Sequence, residues 1–188
     1  MILEGLVTTR NADGTPHLAP MGPMVAPSFG AFVFRPYPGS TTCANLLRTR
    51  CGVFHITDDA RLIAYAAVGM LETLPAFKPA TAINGDILVD ACRAYEFRID
   101  EADEAKVPHR LLATVVQMHQ QREFLGFHRA KHAVIEAAIL ATRLHLLPQE
   151  DIAAEFRRLR VIVDKTGTPA EADAMRLLEA KLAEVQAR

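Results

Sequence analysis

The chain of 188 residues has no apolar run near the roughly 20 residues that a membrane-spanning helix needs. Met1 to Arg10 also lacks a basic stretch leading into an apolar one, so a cytoplasmic protein is expected and a membrane partner is not. Charge of one sign is missing too. Lys and Arg total 21 against 22 for Asp and Glu, which leaves no field to gather nucleic acid or an anionic membrane, so a small ligand or another protein is the expected partner. Cysteine is scarce: Cys43, Cys51 and Cys92 are odd in number and lack CxxC spacing, which argues against a disulfide framework and a zinc site. Buried free thiols are expected instead. The chain carries no GxGxxG fingerprint, no phosphate-binding Walker pattern and no Ser-His-Asp order. A nicotinamide, if used, would therefore come and go as a substrate.

What is present is a chain that is 50% hydrophobic, enough for a full core in one domain or one domain with an appendage. Up to about Gln121 it reads as short apolar runs between turn residues. Leu3 to Thr9 is a β-branched strand, Asn11 to Pro16 is a turn by its Asp-Gly and Thr-Pro steps, and His17 to Ala26 is the returning strand. Prolines 20, 23 and 27 remove backbone donors from that return, as suits an edge, a bulge or a backbone facing something other than a strand. Ala31 to Phe34, Gly52 to Thr57, Cys92 to Ile99 and Leu111 to His119 read as further strands, with a short helix over Thr42 to Arg48. Leu74 to Asp90, with Pro75, Pro79, Asn84 and Gly85, is expected to be a long loop over the barrel mouth or against a dimer partner.

After Gly126 the period changes from two to 3.6 residues. Small apolar residues from Ala130 to Ala141 predict a helix over Arg129 to His145, and a second is expected after Pro148 up to Lys165. Thr168-Pro169-Ala170-Glu171 supplies a hydroxyl cap, a proline at the first helical position and a glutamate three residues after the cap, which opens a third helix running to Ala187. Strands first and helices last predict an α+β protein, with a β-barrel over residues 1–125 and a C-terminal helical region over 126–188.

One stretch stands out chemically. In "RPYPGSTTCANLLRTR" a Pro-Gly turn delivers Ser40, Thr41 and Thr42 to a helix start, where unpaired amides and the positive end of the dipole favour an anion. Arg35 or Arg48 could add positive charge. The plainer reading, favoured by the turn alone, is that Ser40 or Thr41 only caps the helix.

"LVTTRNADGTPHLAPMGPM" followed by "GSTTCANLLRTRCGVFHITDD" resembles the flavin-binding split-barrel superfamily of flavin reductases and pyridoxamine phosphate oxidase-like proteins. "GFHRAKHAVIEAAILATRLHLL" makes the likeness more specific, since it is similar to the DUF447 family of methanogenic archaea and of bacteria with tetrahydromethanopterin-linked one-carbon metabolism. The chain departs from that family at His128, where asparagine is usual. The resemblance implies a split β-barrel homodimer with FMN at the subunit interface. It implies the phosphate at Ser40, Thr41 and Thr42, the flavin ring along Ala19, Pro20, Met21 and Gly22, and a loop-fixing role for Asn45. It further implies an FMN-dependent oxidoreductase of one-carbon metabolism, or else a non-catalytic FMN carrier or sensor. A reading of a different class is a protein-interaction subunit whose barrel has lost its flavin, against which the intact Ser40, Thr41, Thr42 and Asn45 argue.

The remaining polar residues point to no catalytic group. His128 and His132 have an i, i+4 spacing that a metal could use, but no third ligand accompanies them, and a polar helix face is the expected role. His17 and His55 fall on predicted strands near the turn, and the sequence leaves open whether His55 faces solvent or a ligand cleft. Arg129 and Glu136 share a helix face and read as forming structural ion pairs with other elements in preference to binding substrate, and Asp58-Asp59 reads as a turn whose side chains bond the local backbone.

Overall fold

In the computed structural model, which describes residues 1–186, the N-terminal pattern becomes a curled antiparallel sheet. Its strands are β1 (Gly5–Arg10), β2 (Pro16–Met21), β3 (Met24–Val25), β4 (Ala31–Phe34), β5 (Cys51–Ile56), β8 (Arg93–Asp103) and β9 (Arg110–Gln120), in the order β2-β1-β5-β8-β9-β4-β3. A separate hairpin pairs β6 (Phe77–Pro79) with β7 (Asp86–Leu88). The helices are α1 (Thr41–Thr49), α2 (Ala60–Ala67), α3 (Arg129–Ala141), α4 (Gln149–Thr166) and α5 (Pro169–Gln186). The predicted end of the third C-terminal helix, Ala187, lies outside the described residues.

The fold is the predicted α+β class, and the sheet curls because its ends are brought together. Ile2 forms a bridge with Met24, and the Leu3 amide donates to the Pro23 oxygen at 3.2 Å, so the segment before β1 meets β3 from the opposite end of the sheet. That requires the return strand to break. The sequence suggested one strand over His17 to Ala26, but β2 ends at Met21 and β3 begins at Met24, with Gly22 and the donor-less Pro23 between them.

Alternation along the strands sends Val7, Phe32, Phe34, Phe54, Tyr95 and Phe97 inward to an aromatic core, with the Phe34 and Phe97 rings 4.5 Å apart. Leu46 of α1 joins this core. On β5 and β8 the alternate residues are also buried, because the β6–β7 hairpin covers the outer face with Ile83 and Ile87 packed on Val53 and Ala94. The expected loop over Leu74 to Asp90 is therefore corrected: it contains paired strands and is held by polar anchors. Asp86 takes a two-point contact from Arg10, at 2.7 and 2.8 Å, and its backbone oxygen accepts from the Thr8 hydroxyl. Glu96, fully buried, accepts from the amides of Thr81, Ala82 and Ile83, the Thr81 hydroxyl and His119 Nε2.

The chain divides into two compact units. One joins Met1–Thr57 with Leu74–Phe124, and the other joins Asp58–Thr73 with the residues from Leu125 onward. The second unit thus takes in α2, a helix inside the stretch that the sequence reading gave to the barrel. Asp59 caps α2 by accepting the Leu62 amide at 2.9 Å. The core of this unit is built from Ala64, Ala133, Val134, Ala137, Phe156 and Leu178. The small alanine face of α3 lets its neighbours pack closely, and α3 stops at Ala141, four residues before the predicted end at His145. His128 caps α3 by accepting the Lys131 amide on Nδ1 at 3.3 Å, a task that asparagine also performs. At α5 the Thr168 amide and hydroxyl both donate to Glu171, and Lys131 lies 4.0 Å from the same carboxylate.

Candidate functional site

Tyr37-Pro38-Gly39-Ser40 makes the turn that opens α1. Gly39 sits at φ +82°, a conformation that glycine enters without a Cβ penalty, and the Ser40 amide donates back to the Tyr37 oxygen at 3.3 Å. Ser40 is the N-cap: its Oγ accepts the Cys43 amide at 3.2 Å and donates to the Tyr37 oxygen at 2.8 Å. Both bonds serve the turn itself, so the Ser40 hydroxyl is committed to capping.

Two donors remain. The amides of Thr41 and Thr42, the first two of the helix, have no acceptor among the described residues, and the dipole of a nine-residue helix lies behind them. The Thr41 side chain is exposed, whereas Thr42 is buried and its Oγ1 meets His17 Nε2 at 3.1 Å. This contact joins the start of α1 to the start of β2, the two stretches that the sequence singled out separately. Half burial keeps the His17 pKa below the ordinary histidine value.

Period-two alternation puts Ala19 and Met21 on the same face of β2 as His17, with Pro20 on the other. All four residues from Ala19 to Gly22 are partly exposed. β2 pairs only with β1, so it is an edge, and Pro16 and Pro20 share one parity on it, which confines their missing donors to one side.

Asn45 is buried and braces the turn from behind. Its Nδ2 donates to Thr9 Oγ1 at 3.1 Å and to Asn11 Oδ1 at 3.0 Å, while its Oδ1 accepts from Arg48 at 3.2 Å. Arg48 also donates to the Arg10 oxygen, so this cation is spent on the β1–β2 hairpin, whereas Arg35 is exposed and unpaired among the described residues. His55 is remote from such chemistry. It lies fully buried beneath the β6–β7 hairpin, where burial lowers its pKa to about 3.

The donor set suits a phosphate. Two open amides at a helix start, with an exposed threonine hydroxyl beside them, supply hydrogen bonds without a counter-charge that must be displaced. FMN carries such a group, and the residues present fit its phosphate end. No helix among the described residues is long and apolar enough to cross a membrane.

Comparison with solved structures places the fold. An FMN-bound DUF447 protein from Methanosarcina mazei superimposes with a TM-score of 0.80 at 23% identity, covering 96% of this chain and 94% of that one. Flavoredoxin of Desulfovibrio vulgaris gives a TM-score of 0.55 at 12% identity, covering 63% of this chain and 69% of its own. The styrene monooxygenase flavin reductase of Pseudomonas putida gives 0.52 at 10% identity, covering 63% and 81%. The fold is therefore the FMN-binding split barrel. No curated protein matches the chain. Residues 3–122 match the family described as protein of unknown function (DUF447), N-terminal domain, and residues 128–180 match its second DUF447 model; the chain belongs to the DUF447 family.

Proposed function

We propose that this protein binds FMN, with the phosphate at the first turn of α1 and the flavin ring along Ala19 to Gly22 of β2. The observation that carries the reading is the pair of open amides at Thr41 and Thr42, set in a split barrel whose relative from Methanosarcina mazei is FMN-bound. Thr41 supplies a hydroxyl beside its amide, and Thr42 its amide. Ser40 and Asn45 act one step back, by fixing the turn and bracing it against the β1–β2 hairpin. Small Ala19, between His17 and Met21 on one face of an edge strand, leaves room for a flat ring.

FMN when bound supplies hydride or electron exchange, and the protein's part is to position it and exclude water. The chain is on this reading a cytoplasmic oxidoreductase that works as a homodimer with flavin at the subunit interface. The tetrahydromethanopterin-linked substrate class rests on the family resemblance alone. The unpaired edge of β2 supports the dimer, since a second copy would cover it.

A second reading is favoured by Ser40, whose two bonds both serve the helix start: the turn is then only a cap, in a flavin-free interaction subunit. Visible absorption of the freshly purified protein, with mass spectrometry of whatever denaturation releases, separates the two. Flavin bands and about one FMN released per chain are expected under the first reading. A colourless protein that takes up no added FMN overturns it.

A further inference from the structure

We infer that His17 is the positioning residue that makes this site select a phosphorylated flavin, by holding the Thr42 hydroxyl and with it the first turn of α1. The inference rests on the FMN reading above and adds to it a residue, a direction of hydrogen bonding and a selectivity.

The contact links two elements that share no strand pairing. His17 sits second on edge strand β2, and Thr42 sits second on α1, 25 positions later in the chain. The Thr42 hydroxyl has His17 as its one partner among the described residues. At the second position of α1 the residues one turn back, Pro38 and Gly39, lie before the helix, so no carbonyl of the helix itself competes for this hydroxyl. Its orientation is therefore set by β2, through His17.

The direction of the bond decides its use. A hydroxyl that donated to His17 would present lone pairs to an incoming phosphate and repel it. If the neutral imidazole carries its proton on Nε2, the ring donates to Thr42 Oγ1, and the Thr42 O–H is released to point with its own amide at the anion. His17 thus orders donors at the phosphate end, because its hydrogen bond goes to Thr42 and not to the ring residues Ala19 to Gly22. Loss of the imidazole should cost binding of FMN and spare riboflavin, which shares the ring and lacks the phosphate.

The test is titration of the apoprotein with FMN and with riboflavin, followed by flavin fluorescence, for the wild type, His17→Leu, His17→Gln, Thr42→Val and the double variant His17→Leu/Thr42→Val. Expected are an FMN Kd raised about tenfold in His17→Leu and a riboflavin Kd within about twofold of wild type, in line with loss of one hydrogen bond that supports a charged group. His17→Gln, whose amide reaches the place of Nε2 as a donor, should recover most of the FMN affinity. The double variant should be no weaker than Thr42→Val, because the histidine acts through the threonine. Unchanged FMN binding in His17→Leu overturns the inference, and so does an equal loss for both flavins, which marks a structural role. A misfolded His17→Leu leaves the decision to Thr42→Val, which breaks the same bond from the helix side and must show the same selective loss of FMN. Wild-type protein that binds neither flavin overturns the FMN reading itself, and this inference with it.

Discussion

His55 and Leu88 are joined across the covered face of the sheet, where His55 Nε2 accepts the Leu88 amide at 3.0 Å while Nδ1 lies 3.3 Å from the Leu6 oxygen. An amide donating to Nε2 places the ring proton on Nδ1, so the imidazole is neutral and ties β1, β5 and β7 together.

That neutrality has a sign in pH. Burial, opposed only by the bond to Leu6, lowers the His55 pKa from 6.5 to about 3, so the unfolded chain binds the proton more readily than the folded one. The stabilisation is fully present above pH 6.5 and is lost as pH falls toward 3, with a limiting slope of about 1.4 kcal/mol per pH unit. Urea unfolding from pH 7 to 4 should show this loss in the wild type. A His55→Leu variant should be about 1–3 kcal/mol less stable at pH 7, with a flatter profile. An unchanged slope would mean that His55 is not the group that titrates.

Glu96 is the second anchor of the hairpin. Burial alone would raise its pKa, but hydrogen bonds from Thr81, His119 and Ala82 outweigh burial and hold it below the ordinary glutamate value. Its contribution is present above pH 4.5 and lost below it, the same sign as for His55. Glu96→Ala leaves the Thr81, Ala82 and Ile83 amides without their acceptor, and hydrogen exchange at those three amides should rise by at least tenfold. Protection equal to the wild type would show that they find other acceptors.

Thr41→Pro removes one of the two open amides without disturbing the helix. Proline is accommodated at the first helical position, and Ser40 before it is already extended at φ −74° and ψ 144°. Thermal stability should stay within about 1 kcal/mol of wild type, while FMN retained through gel filtration falls severalfold. Full retention would move the phosphate away from this turn.

Gly39→Ala tests the turn that presents those amides. An alanine forced to φ +82° should cost about 1–2 kcal/mol, read as a lower Tm, and should weaken FMN retention in parallel. A stable protein with normal flavin content would show that the turn adapts without consequence for the site.

What the sequence determined by itself is local. The Asp-Gly turn forms as read, with Asp13 accepting from the Thr15 amide and hydroxyl, because an aspartate reaches its own backbone two residues on. The Pro-Gly turn before α1, the Thr168–Glu171 cap of α5 and the apolar alternation of β4 are legible for the same reason: the partners lie within four residues of one another. The alternation around His55 likewise showed that it faces away from Phe54, but nothing in it said what would cover that face. The tertiary structure decided that, by folding the β6–β7 hairpin back over β5 and supplying Leu88 as the donor. It also broke the return strand at Pro23 so that Ile2 could reach Met24, gave α2 to the helical unit, and brought His17 to Thr42. Each of these depends on contacts between segments distant in the chain, whose register is fixed by packing and by the pairing of buried polar groups, and neither leaves a periodic mark on the sequence.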